Sequence, residues 1–215
     1  DIFTLKRKNT VGLLWQAADI GNTRAMIELG DCYMKGDDVP QDKKKAIELY
    51  QQAAEMGYAD AMSKLFDCYM KGDVVPQDKE KAIDCFQRAI DKGNTDAMVE
   101  LGKRFFKGKE VPQDKMRAID LFQRAAGLGN AHAMFKLGKW YEKGDGVPQD
   151  IEKAIELYQR AAEIGKCDPL FDFSVRLMEG KRLPQHKEKA IKLLQQLVDM
   201  NDTRAMVQLG DCYMK

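Results

Sequence analysis

No stretch of this 215-residue sequence approaches the roughly 20 consecutive apolar residues that a bilayer-spanning helix needs. Insertion into a membrane is therefore not expected. An excess of one charge is also missing. Lys and Arg total 35, Asp and Glu total 34, and the net charge is +1, without the basic surplus that marks a nucleic-acid binder. Histidine occurs only twice, as His132 and His186. Neither Cys-x-x-Cys, His-x-x-x-His nor a Gly-rich phosphate loop occurs. That leaves little material for a metal site, a cofactor site or a nucleophile–base pair, so no catalytic, cofactor-binding or metal residues are expected. The hydrophobic content of 44% nonetheless excludes a disordered chain.

Proline is scarce as well, with six residues, and its placing is periodic. Pro40, Pro76, Pro112, Pro148 and Pro184 fall 36 residues apart, and only Pro169 stands outside the series. Gly21, Gly57, Gly93, Gly129 and Gly165 keep the same interval. So do Gly36, Gly72, Gly108, Gly144 and Gly180, and Ala46, Ala82, Ala118, Ala154 and Ala190. A fixed period of this length is the mark of a repeat architecture. It divides the chain into five full units, 22–57, 58–93, 94–129, 130–165 and 166–201, flanked by partial units at 1–21 and 202–215. The whole reads as one repeat domain.

One unit, from Asn130 to Gly165, carries two helical patterns. Ala133, Met134, Leu137 and Tyr141 form one face of a helix over about 131–143, and Gly144 follows where a left-handed residue is wanted. Asp150 is placed to cap a second helix, whose buried stripe is Ala154, Ile155, Tyr158, Ala161 and Ala162. Ala133, Gly138, Ala154, Ala161 and Ala162 are small enough for two antiparallel helices to approach closely. A single hairpin cannot bury both its faces, whereas stacked hairpins can. The expected fold is all-α, a right-handed superhelical solenoid of twelve antiparallel helices.

Gly144, Gly146, Val147, Asp150, Lys153, Ala154, Tyr158, Arg160, Ala161, Ala162 and Gly165, with Ala25, Leu29, Gly30, Tyr33 and Gly36 on the first helix, give the unit its signature. In these residues the chain resembles the Sel-one-like repeat family, the tetratricopeptide-related solenoids. The tetratricopeptide repeat proper has a shorter period and lacks the Gly-x-x-Val-Pro-x-Asp loop. The resemblance implies a non-enzymatic adaptor or scaffold for protein–protein interaction and signalling, with the first helices lining the concave side. The alternative is a regulatory or substrate-docking segment of a larger enzyme, such as a kinase or ubiquitin-pathway protein.

The unit 166–201 departs most from the pattern, with Pro169, Phe173, Ser174, Leu177 and, at the capping position, His186. Its second helix should be weaker by about 0.5–2 kcal/mol for want of the Asp cap. The sequence starts without Met and stops within a unit, which suggests a fragment of a longer protein and leaves self-association through the terminal half-units open. Cys32, Cys68 and Cys212 share one column of the repeat, and Cys85 takes the place of a core Leu. Stacked equivalents should lie roughly 8–10 Å apart, beyond disulfide reach. The regular bridging of some secreted relatives is absent, so a reducing, cytoplasmic compartment is expected.

Columns that vary between units are candidates for recognition. On the first helix these are the columns of Arg24, Ile27, Glu28, Asp31 and Lys35. Large apolar residues gather there in the later units: Phe106, Phe135, Trp140 and Phe171, rimmed by Lys103, Lys107, His132, Lys136 and Lys139. Phe106, Phe135, Trp140, Phe171, Lys103, His132, Lys136 and Lys139 form the expected partner-binding surface for a protein or peptide segment. The competing expectation is that Trp140 and Phe106 pack against neighbouring helices. His132 and Asp168 share a column in successive units and could meet, although two exposed polar residues are the simpler reading.

Overall fold

Twelve helices follow one another along the residues described by the computed structural model, 2–179 and 186–214, with side chains described from residue 10. Contacts divide the chain into two units, Asp1–Leu128 and Gly129–Lys215. The first holds α1 (Ile2–Asp19), α2 (Thr23–Lys35), α3 (Lys43–Glu55), α4 (Ala59–Lys71), α5 (Lys79–Asp91), α6 (Thr95–Lys107) and α7 (Lys115–Gly127). The second holds α8 (Ala131–Lys143), α9 (Ile151–Glu163), α10 (Asp168–Glu179), α11 (Lys187–Asp199) and α12 (Thr203–Tyr213). No strand occurs among the described residues.

Most of the helices begin on a side-chain cap, α4 and α11 being without one. Asn22, Asn94 and Asn130 accept the backbone N–H groups of Ala25, Ala97 and Ala133 at 2.9–3.0 Å. Asp42, Asp78, Asp114 and Asp150 do the same for Lys45, Lys81, Arg117 and Lys153. These bonds satisfy amides that have no partner inside the helix, and the one from Lys81 holds the Asp78 carboxyl below its usual range. The first helices end on Gly36, Gly72, Gly108 and Gly144, with φ between +65° and +80°, a conformation costly for any side chain with a Cβ. The glutamine of the Val-Pro-Gln-Asp loop then straps back. Gln41, Gln77, Gln113 and Gln149 donate to the carbonyls of Met34, Met70, Phe106 and Glu142 at 2.7–2.9 Å. Sequence reasoning left that glutamine without a role; its exact recurrence was the signal.

Packing within a hairpin turns on one glycine. A Cβ built on Gly30, Gly102 or Gly138 would lie 2.5, 2.8 or 2.6 Å from the ring of Tyr50, Phe122 or Tyr158 on the following helix. Those rings are 0–1% exposed. Where the chain carries Phe66 in the glycine column, it tilts against Phe86 at 5.8 Å between ring centroids. Where it carries Ser174, the ring is replaced by Leu194, and the serine hydroxyl donates to the Leu170 carbonyl at 2.7 Å. In the second unit the core runs through Ala154, Tyr158, Phe173, Leu177, Leu194, Leu197 and Leu209.

His186 stands at the start of α11 without a side-chain capping bond. Pro169 sits in the first turn of α10, where a missing N–H costs little. Gly180 and Pro184 lie outside the described residues. All five cysteines are free thiols.

Candidate partner-binding surface

The first helices carry three kinds of position. The columns of Ala25, Met26 and Leu29 are buried, and those of Arg24 and Lys35 are exposed. Between them lie the columns of Ile27 and Asp31, which sequence variation placed on the free face. The structure corrects this. Val99, in the Ile27 column, is 5% exposed, and Ile27 packs against the core of α2–α4. Asp31 accepts the Tyr50 hydroxyl at 2.6 Å and pairs with Lys64 at 2.7 Å. At Ile27, Asp31 and Val99 these columns are occupied by packing and pairing within the stack.

The ion pairs show the rule. In the first unit, Asp31 meets Lys64. One repeat on, the register sets Glu100 where Lys64 stands, opposite Asp67. Two cations resolve the like charges: Lys103 takes Glu100 at 2.6 Å, and Arg104 takes Asp67 at 3.2 Å and Glu110 at 2.5 Å. The Arg104 side chain is 14% exposed and lies 4.1 Å over the Phe66 ring, a desolvated cation–π contact. In the second unit, Arg176 pairs with Glu142 at 3.0 Å, and Glu142 also accepts the Tyr158 hydroxyl at 3.0 Å. Burial first, then these carboxylates, hold the Tyr50 and Tyr158 phenols well above their usual range. Each of these groups is held by a partner within the fold.

The expected binding residues separate into distinct settings. In the first unit, Lys103 is committed to Glu100, and Phe106 is half-buried under Lys115, whose Nζ lies 5.2 Å from the ring centre. In the second unit, Trp140 is 9% exposed, so it contributes packing and no accessible anchor. Phe135 is half-buried against the core and tilts towards Tyr158 at 6.3 Å. Lys139 and Lys136 hold their ammonium groups 5.4 and 6.0 Å from its ring centre. Phe171 is half-buried under Arg204 at 4.8 Å. His132 is exposed, and Asp168 accepts Arg204 at 2.6 Å. The surface that remains is two partly exposed rings bordered by cations. The terminal helices also present apolar groups: Leu13 on α1 with Ile20 just after it, and Val207 and Tyr213 on α12 with Met214 just after it.

Among the described residues there is no cluster of three or more potential metal ligands, and no helix is long and apolar enough to cross a membrane.

Helical hairpins stacked at a 36-residue period define an α-solenoid of the tetratricopeptide-like class. The Sel1 repeat model matches residues 23–58, 59–94, 95–130, 131–166 and 174–202, and the chain belongs to the Sel1 repeat family. The fifth match starts late, within the divergent repeat. No curated protein matches the chain. Among solved structures it is similar to a protective antigen of uropathogenic Escherichia coli displaying an SLR fold, at 30% identity and a TM-score of 0.58, over 94% of this chain and 44% of that one. It is also similar to a Sel1 repeat protein from Oxalobacter formigenes, at 28% identity and a TM-score of 0.55, over 91% of this chain and 80% of that one. The chain thus spans less than half the length of the first relative. Sel1 repeats are commonly protein-interaction scaffolds and typically carry no chemistry of their own.

Proposed function

We propose that this chain is a non-enzymatic scaffold that holds a segment of another protein on the first-helix face of its second unit. The observation that carries the reading is Phe135: a ring partly open to solvent on a rigid helix, with Lys136 and Lys139 arrayed around it. A large apolar anchor within a cationic border suits a peptide that offers an apolar side chain beside carboxylates. Phe171 and His132 extend the same face. Free thiols throughout support a reducing compartment.

Affinity capture from native lysate tests this, with the parent chain beside Lys136→Glu/Lys139→Glu and Phe135→Ala. Charge reversal should release the captured protein while leaving the melting temperature nearly unchanged, since both lysines stand at the surface rim. Retention of the same partner by the reversed chain would remove this face from the function.

A further inference from the structure

A second surface lies within the first unit, on the side of the second helices. A groove of about 600 Å³ runs between α3 and α5. Leu65, Tyr69, Cys85, Ala54 and Ala89 form its apolar lining. Two hydrogen bonds join its lining residues, Gln51 to the Tyr69 hydroxyl at 3.5 Å and Asn94 to the Gly57 carbonyl at 2.6 Å.

The repeat explains why the space is open here. In the Cys85 column the later units carry Leu121, Leu157 and Leu193, each 4–9% exposed, and the preceding unit carries Leu49 at 6%. Cysteine leaves a hollow of about two heavy atoms. Elsewhere, the cation at the start of the second helix covers the aromatic ring of its hairpin: Lys45 over Tyr33 at 5.0 Å, Arg117 over Phe105 at 4.6 Å, Lys153 over Tyr141 at 5.3 Å. Here the equivalent Lys81 pairs with Asp78 at 3.5 Å, as Lys153 does with Asp150 at 3.7 Å, and Tyr69 lines the groove.

The cross-helix bridges differ too. In the second unit, α9 and α11 are tied by Glu152 with Lys189, and by Gln159 with Gln196 at 2.7 Å. The same offsets between α3 and α5 select Lys44 with Lys81, and Gln51 with Arg88. A carboxylate is thus replaced by a second ammonium, and an amide acceptor by a guanidinium. Lys92 adds a further cation to the wall, against Glu55 and Asp84.

We propose that the α3–α5 groove is a separate docking site for an extended acidic segment of another protein. A carboxylate of that segment lies between Lys44 and Lys81, where Glu152 stands in the sister pair, and a second meets Arg88. An aliphatic side chain enters the hollow over Cys85, beside Leu65 and Tyr69. The 13 residues of α5 span about 20 Å, so about six extended residues fill the groove.

The test uses the full chain and a fluorescein-labelled acidic peptide of about six residues with a central leucine, alongside its lysine counterpart, read by fluorescence anisotropy. Cys85→Leu/Lys44→Glu installs residue types that other repeats carry at those positions and closes the groove. The acidic peptide should bind the parent chain, bind this variant roughly ten-fold more weakly, as on losing one interface anchor, and bind Phe135→Ala unchanged. Circular dichroism should show both variants folded. Equal binding to the closed variant, preference for the lysine peptide, no binding at all, or loss with Phe135→Ala would each overturn the proposal. The last outcome would leave the first-helix face standing as the binding surface.

Discussion

Replacing Gly138 with alanine sets two known terms against each other. Alanine favours a helix interior over glycine by about 1 kcal/mol. The added Cβ, however, would stand 2.6 Å from Cε1 of Tyr158. That ring cannot yield freely. It is 0% exposed, packs against Phe173 at 5.1 Å, and donates its hydroxyl to Glu142 at 3.0 Å. Overpacking of this kind costs about 1–3 kcal/mol, so Gly138→Ala should destabilise by about 0–2 kcal/mol net. In a Tyr158→Leu background the clash disappears, and the same substitution should stabilise by up to about 1 kcal/mol. The chain has made this exchange already, since Ser174 stands in the glycine column where Leu194 replaces the ring. Gly210 supplies the second control: nothing lies within 4 Å of its virtual Cβ, so Gly210→Ala should stabilise or be neutral. Urea denaturation followed by circular dichroism on the four chains of the cycle measures the coupling. An equal effect of Gly138→Ala in both backgrounds would refute the close-approach argument.

Two further expectations concern caps and pH. Asp150→Ala should destabilise the second unit by about 1 kcal/mol through loss of the bond to Lys153 N–H, and His186→Asp should stabilise α11 by a similar amount; thermal melting would show opposite shifts, and two shifts of the same sign would count against the capping account. The raised phenols of Tyr50 and Tyr158 make the fold sensitive to alkali. Their contribution is intact below the unfolded tyrosine pKa of about 10 and is lost as pH rises towards the folded values, because the unfolded chain releases those protons first. A Tyr50→Phe/Tyr158→Phe chain should lose less stability between about pH 10 and 12, measured as the urea midpoint against pH. An identical pH slope in the two chains would place the alkaline sensitivity elsewhere.

The repeat determined much of this protein before any coordinates. Pro148 and Gly144 mark a loop because one lacks an N–H and the other tolerates positive φ; Asp150 begins a helix because its carboxylate can take an orphan amide. These are local effects, carried by a few bonds along the chain, and five copies in register make them unmistakable. The glycine of the first helix was legible as a close approach, and His186 as a missing cap, for the same reason.

Contacts made across the stack could not be read that way. The columns of Ile27 and Asp31 vary, yet Val99 is buried and Asp31 is held by Lys64 and Tyr50. At Asp31 the residue answers to one about a repeat away, Lys64, which the packing brings within 2.7 Å. Trp140 and Phe135 lie five residues apart on one helix, and sequence grouped them as a single anchor. Burial separates them, leaving Trp140 at 9% exposure and Phe135 partly open under two lysines. The α3–α5 groove is likewise a tertiary result: Cys85 is a legible departure from the pattern, but only the stacking sets it beside Leu65, Tyr69 and Arg88 along one opening. Helix propensity and capping act within a hairpin, whereas exposure is set by the neighbours that cover it, and only the fold names those neighbours.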